Sequence, residues 1–134
     1  MNAIAPTRPS ELSGSRVRLA AGPTAPAQAR RAVRAAIRAW DVPVDPDVAA
    51  LLTSELVTNA IRHEPGPTVT LCVTCSGGEL RVDVYDASCR LPVLVDASAD
   101  AEAGRGLMLV ATLAAEWGVY RHRVGKAVYF TLEF

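Results

Sequence analysis

The chain has 134 residues, half of them apolar, and its 14 basic and 14 acidic side chains cancel to a formal net charge of zero. That is one domain of ordinary size with enough apolar side chain for a core. Balanced charge disfavours a polyanion-binding surface, so no direct nucleic-acid partner is expected. No run approaches the ~18 apolar residues of a membrane span. The opening, MNAIAPTRPSELSGS, lacks the apolar segment of a signal peptide. Three cysteines, Cys72, Cys75 and Cys89, suit a reducing compartment, and a cytoplasmic protein is expected.

Residues 1–13 read as a flexible tail, and 14–134 as a single domain. SRVRLAA (15–21) alternates like a strand and stops at Gly22-Pro23. Thr24 is placed to cap a helix with Pro26 in its first turn, running to Trp40 with an apolar stripe of Val33, Ala36, Ile37 and Trp40. Arg30, Arg31, Arg34 and Arg38 fall on the other face of that helix and read as a solvated surface. Asp45 caps a second helix with Pro46 at its first position, reaching about His63 before Pro65-Gly66-Pro67 ends it.

Two strands follow, TVTLCVTC and ELRVDVYD, joined at Ser76-Gly77-Gly78 as a hairpin. Cys72 and Cys75 form a CxxC inside the first of them. Their odd separation puts them on opposite faces, against a metal or redox role. Residues 87–104 are a loop with one apolar island, Leu91 to Val95. GRGLMLVATLAAEW then reads as a helix opened by glycines, and WGVYRHRVGKAVYFTLEF as a hairpin turning at Gly125-Lys126. Strand, two helices, hairpin, loop, helix, hairpin predicts an α+β, two-layer α/β sandwich with helices on one side of the sheet.

Chemistry concentrates in three stretches. In SELVTNAIRH, Glu55 and Asn59 lie four residues apart inside an apolar helix. Four residues differ by about 40° in direction, so the two project side by side, on the stripe that begins with Val48 and Leu52. Taken alone, the pair is an internal hydrogen bond on a half-exposed face or the polar end of a helix lining a cavity. In VYDASCRLP, Asp86 ends a strand, where a carboxylate can accept from an exocyclic amine. In GRGLMLV, Gly104 and Gly106 flank Arg105 at a helix start, which suits a close approach of backbone to phosphate. An Asn carbonyl is a hard ligand for a Mg²⁺ also held by phosphates, and a neighbouring Glu can act as general base. Together these make a nucleotide site.

The order and wording of these stretches resemble the Bergerat-fold (GHKL) ATPases. SELVTNAIRH is similar to their N-box, DASCRLP to their first glycine box and GRGLMLV to their second. The likeness is strongest to the RsbW-like anti-sigma-factor serine kinases of actinobacterial type, whose ending WGVYRHRVGKAVYF also resembles, and it covers about residues 15–134. The resemblance implies a mixed, mostly antiparallel sheet covered on one face by about three helices. It implies ATP and Mg²⁺ as cofactors, with Glu55 as general base, Asn59 as the Mg²⁺ ligand and Asp86 as acceptor for the adenine amine. Ser88 stands where the first glycine box has its first Gly. Pro92, Gly104, Arg105, Gly106, Leu107 and Met108 match positions around the nucleotide, with residues 90–103 as a short lid. His63, one turn beyond Asn59, borders the site or simply ends the helix.

There are departures. Cys89-Arg90 follow Ser88 where a second glycine is usual, and Ala127 stands where many relatives have Thr after the Gly-Lys turn. By this resemblance the protein phosphorylates a serine of an anti-anti-sigma (STAS-type) partner and binds a sigma factor. A homodimer is within what it implies, since relatives often dimerise. The alternative that the residues leave open is a non-catalytic ATP-binding module that acts by sequestering such partners.

Overall fold

The computed structural model describes residues 13–62, 66–87, 101–123 and 125–134. Eight elements follow one another in it: β1 (Ser13–Ala20), α1 (Ala25–Trp40), α2 (Pro46–Ile61), β2 (Thr68–Ser76), β3 (Glu79–Asp86), α3 (Ala101–Leu113), β4 (Glu116–His122) and β5 (Gly125–Glu133). The strands form a five-stranded sheet in the order β1-β2-β3-β5-β4, antiparallel at all four pairings. This is the α+β sandwich that the element order predicts.

Period-two alternation decides which face of each strand is buried. Leu71 and Val73 on β2, Leu80, Val82 and Val84 on β3, and Val128 and Phe130 on β5 point inward and are almost fully buried. On β3 and β5 the matching is residue by residue, Leu80 opposite Leu132, Val82 opposite Phe130 and Val84 opposite Val128. Facing them is α2, which is apolar nearly all round and packs on α1, α3 and the central strands. A helix of that kind belongs in the middle of a layer. On α1 the buried stripe is Ala25, Ala29, Val33, Ala36 and Ile37, with Trp40 partly buried against the core. Its arginines lie outside, and Arg34 reaches Asp47 of α2 at 2.8 Å on the surface, an exposed pair of the kind that contributes little.

The β2–β3 hairpin turns through Gly77 and Gly78, at φ 61° and 79°. Two successive positive φ values match the twist of the flanking strands, and glycine reaches them without strain. Cys72 and Cys75 do face opposite ways. Cys75 packs against the core beside the helices, while Cys72 is on the other face opposite Asp83, where burial pushes its thiol pKa up. Neither has the lowered pKa of a reactive cysteine.

The sheet's other face carries a polar network. Asp83, 5% exposed, takes both the Nε (2.9 Å) and Nη2 (3.0 Å) of Arg81. Tyr120 on β4 donates to its Oδ2 at 2.8 Å and lies 3.0 Å from the Tyr85 hydroxyl. Arg81 also stacks 4.0 Å above the Tyr129 ring. Burial, then the bonds to Tyr85 and Asp83, hold the Tyr120 phenol protonated far above its usual range. The network ties β3, β4 and β5 together without helices.

Three boundaries differ from the sequence reading. The first strand begins at Ser13 rather than 15. The third helix opens at Ala101 and ends at Leu113, so Trp117 belongs to β4 and pairs with Phe130. Ala101-Glu102-Ala103 are good helix formers and carry the helix back past the glycines. The last hairpin does not turn at Gly125-Lys126. His122 pairs with Gly125, and both glycine and lysine lie buried in β5.

The two early caps differ in kind. Asp45 accepts from the Asp47 N–H at 2.9 Å, whereas Thr24, the N-cap of α1, makes no side-chain cap bond. Asp45→Ala should therefore cost about 1 kcal/mol of stability, and Thr24→Ala close to nothing. Urea unfolding at unchanged m-value checks both.

Candidate functional site

Chain connections gather the candidate residues at one end of the sheet. From the C-terminal end of α2 the chain reaches Gly66, where a Cβ would lie 3.3 Å from that of Ala87. Ala87 directly follows β3. So the segment leading into β2 and the end of β3 meet there. The start of β5 joins them, because Asp86 pairs with Lys126.

Glu55 and Asn59 lie in the C-terminal half of α2 and project the same way, as their spacing requires. Glu55 is half-buried. Asn59 is 4% exposed, and its Oδ1 meets no hydrogen-bond partner among the described residues. The orphan Oδ1 is an acceptor, and the acceptor-only carboxylate of Glu55 cannot satisfy it. A buried amide oxygen left unpaired costs about 1–3 kcal/mol, so this position is built against local stability. Its chemistry fits a hard cation: a carbonyl-type oxygen, with a carboxylate one turn away and the remaining ligands supplied by phosphates and water. Among the described residues no group of three or more His, Cys, Asp and Glu side chains gathers as an all-protein metal site.

Gly106 of α3 lies directly against Glu55. A Cβ there would collide with Oε2 of Glu55, and it would approach the carboxyl carbon to 3.4 Å. The glycine therefore makes room for the carboxylate. This is a different use from the phosphate-facing helix start read in the sequence. Gly104, Arg105 and Gly106 are the fourth to sixth residues of α3, past the first turn where orphan amide N–H groups could face an anion. Leu107 is a core residue at 1% exposure, whereas Met108 is 53% exposed. The two point to opposite environments and do not line one wall. His63, Ser88 and Pro92 lie outside the described residues, as do residues 90–100 of the expected lid.

Asp86 is in the expected place, the last residue of β3 facing the helices, but it has a companion that the sequence reading did not foresee. Lys126 Nζ donates to its Oδ2 at 2.8 Å, and both side chains are fully buried. The pair is built by the backbone. Gly125 sits so close that a Cβ on it would meet the Asp86 carbonyl oxygen and approach Ala87 Cα to 2.7 Å. Reading Gly125-Lys126 as a turn hid this. The signal that could have found it is the alternation Lys126, Val128, Phe130, Leu132, which continues the inward face of β5 to its first turn-side residue.

Removing one member of a buried ion pair leaves the other charge uncompensated, at about 3–5 kcal/mol. Lys126→Met should lose stability on that scale. The double change Asp86→Asn/Lys126→Met should recover part of the loss, because it leaves no lone charge. Denaturant unfolding of the two variants measures the coupling.

In overall shape the domain is similar to a crystal structure of the RsbU and RsbW domains of Rv1364c from Mycobacterium tuberculosis. The TM-score is 0.61 at 21% sequence identity, over 90% of this chain and 32% of that one. The chain thus spans about a third of the length of that structure, and the likeness is one of fold. No curated protein matches the sequence. Residues 19–132 match the model of the histidine kinase-like ATPase domain, and the chain belongs to that family.

Proposed function

We propose that the protein is a Mg-ATP-binding anti-sigma regulator with serine kinase activity toward an anti-anti-sigma partner. ATP binding is what the family implies. The observation that carries the finer reading is Asn59, buried with an unsatisfied Oδ1 one turn from Glu55. The neighbour, a structure of RsbU and RsbW domains similar in fold over 90% of this chain, supports the regulatory setting. Among the described residues no helix is long and apolar enough to cross a membrane.

Each residue has a separate task in this reading. Asn59 holds the cation through Oδ1. Glu55 accepts the proton of the partner's serine hydroxyl. Gly106 leaves the carboxylate the space to do so. Asp86 accepts from the purine amine. When bound, Mg-ATP supplies the phosphoryl group, the serine oxygen–phosphorus bond forming as the bond to ADP breaks. The protein's remaining work is positioning and electrostatics.

A second reading rests on Lys126. A site whose base acceptor is already paired can hold nucleotide without catalysis and act by sequestering a sigma factor alone.

Glu55→Gln keeps size and hydrogen-bonding ability but removes the base. It should bind Mg-ATP nearly as the wild type does and transfer phosphate to a serine partner about 10²–10⁴-fold more slowly. Asn59→Ala should weaken Mg-ATP binding and transfer together. Calorimetry and a phosphoserine assay with purified candidate partners separate these effects. A wild-type protein that binds its sigma factor yet leaves every partner unphosphorylated with Mg-ATP would assign it to the second reading. Gly106→Ala tests the packing: displacing the Glu55 carboxylate should slow transfer more than it weakens ATP binding.

A further inference from the structure

The outer face of α1 carries positive charge that the fold leaves largely unmatched. Its charged residues are Arg30, Arg31, Arg34 and Arg38, and it contains no Asp or Glu. Arg31 and Arg38 are exposed, and Arg30 and Arg34 half-buried. Arg30, Arg34 and Arg38 follow one another at four-residue steps, where like charges weaken a helix. Arg34 has a carboxylate partner, Asp47 at 2.8 Å. Arg30, Arg31 and Arg38 have none among the described residues. Carboxylates brought from outside the chain would relieve the repulsion along this row.

The row runs into a cleft of about 350 Å³ between the end of α1 and the start of α2. Ile37, Val42, Val44 and Pro46 supply its apolar wall, and Arg34 and Arg38 its cationic rim. The cleft is preformed. Asp41 closes α1 in the left-handed conformation, at φ 55°. The N–H groups of Asp41 and Val42 donate to the carbonyls of Arg38 and Ile37 at 3.3 and 3.0 Å. A segment that fills the cleft therefore has little of this chain to order.

The charges around the cleft also distinguish one class of partner from another. Asp41 lines it, and Asp45 and Asp47 are exposed on either side of Pro46. These carboxylates repel a continuous phosphate backbone. A protein segment can instead set its own acids along α1 and an apolar side chain in the cleft. We propose that the arginine row of α1 and this cleft dock an acidic, amphipathic segment of a partner protein, with its carboxylates on Arg30, Arg31 and Arg38. This inference rests on the reading of the protein as a regulator that holds a protein partner.

The surface is separate from the candidate nucleotide site. Pro46 begins α2, and Glu55 and Asn59 lie further along it, about 14 and 20 Å away at the rise of a helix. Substitutions at the two places are therefore expected to act independently.

The test is calorimetry of the full chain with purified sigma-factor candidates. Arg30→Glu/Arg31→Glu/Arg38→Glu should weaken the wild-type complex at least about tenfold, and leave Mg-ATP affinity within about twofold. Pro46→Glu sets a carboxylate in the cleft wall, at a helix N-terminus that accepts one, and should weaken the complex about tenfold as well. Wild-type affinity should fall at least about tenfold between about 0.05 and 0.5 M KCl. That measurement needs no variant, so it decides even if a variant fails to fold. A complex that is insensitive to salt, or unchanged in either variant, overturns the inference and leaves the regulator reading intact. A short DNA duplex that wild type binds and the triple variant does not would overturn it too, by assigning the row to nucleic acid. Absence of a complex between wild type and every candidate, with and without Mg-ATP, overturns the partner-holding reading and this inference with it.

Discussion

The pairing of β3 with β5 is the constraint on which the rest depends. It joins two hairpins that are distant in sequence into one sheet, and so it bears a loop-closure cost that neither hairpin carries within itself. Once Leu80 is set against Leu132 and Val82 against Phe130, the register leaves no freedom at the far end, where Asp86 must meet Lys126. A slip of one residue would turn every inward side chain of β5 outward. It would also break the buried Asp86–Lys126 pair. The apolar alternation and the buried ion pair therefore enforce the same register from opposite ends of the strands.

The polar groups in this interior fall into two kinds. On the open face of the sheet Asp83 is held by Arg81 and Tyr120, and the tyrosines contact one another, while Thr131 Oγ1 is buried there without a partner among the described residues. That network stiffens the central strands and asks nothing of a ligand. On the helix side, Asn59 is enclosed with an unsatisfied oxygen, and a half-buried Glu55 sits against a glycine whose replacement would displace its carboxylate. Buried oxygens without partners thus occur on both faces, and the one at Asn59 is set apart by a carboxylate one turn away on the same helix.

How far the sequence reveals this depends on the range of the interaction. The Asp45-Pro46 helix start and the Gly77-Gly78 turn are decided within a few residues, and both are legible. The inward and outward faces of β2 and β3 follow from alternation alone. Gly104-Arg105-Gly106 misleads because glycine is read as a helix boundary, while Ala101-Glu102-Ala103 just before it extend the helix. Gly125-Lys126 misleads in the same way, since a glycine followed by a charged residue is ordinary turn chemistry. Only the partner strand shows that this lysine is buried. The spacing of Glu55 and Asn59 makes them neighbours on a helix, but whether Asn59 has a partner is a property of the packed interior. The companion of Asp86 lies forty residues away and is written in no local pattern.

The two polar poles of the site stand in opposite energetic states, and this decides where a ligand gains most. At Asp86 the chain supplies its own cation, so a base that docks there exchanges one satisfied arrangement for another, and a buried carboxylate already paired gives little net gain. At Asn59 the folded chain leaves an acceptor unsatisfied, and a cation brought to it removes a cost the protein already carries. Under the proposed nucleotide reading, binding free energy is then weighted toward the cation-and-phosphate end, with the base end serving to orient. The register of β3 on β5, which places Lys126 beneath Asp86, is the structural origin of that division.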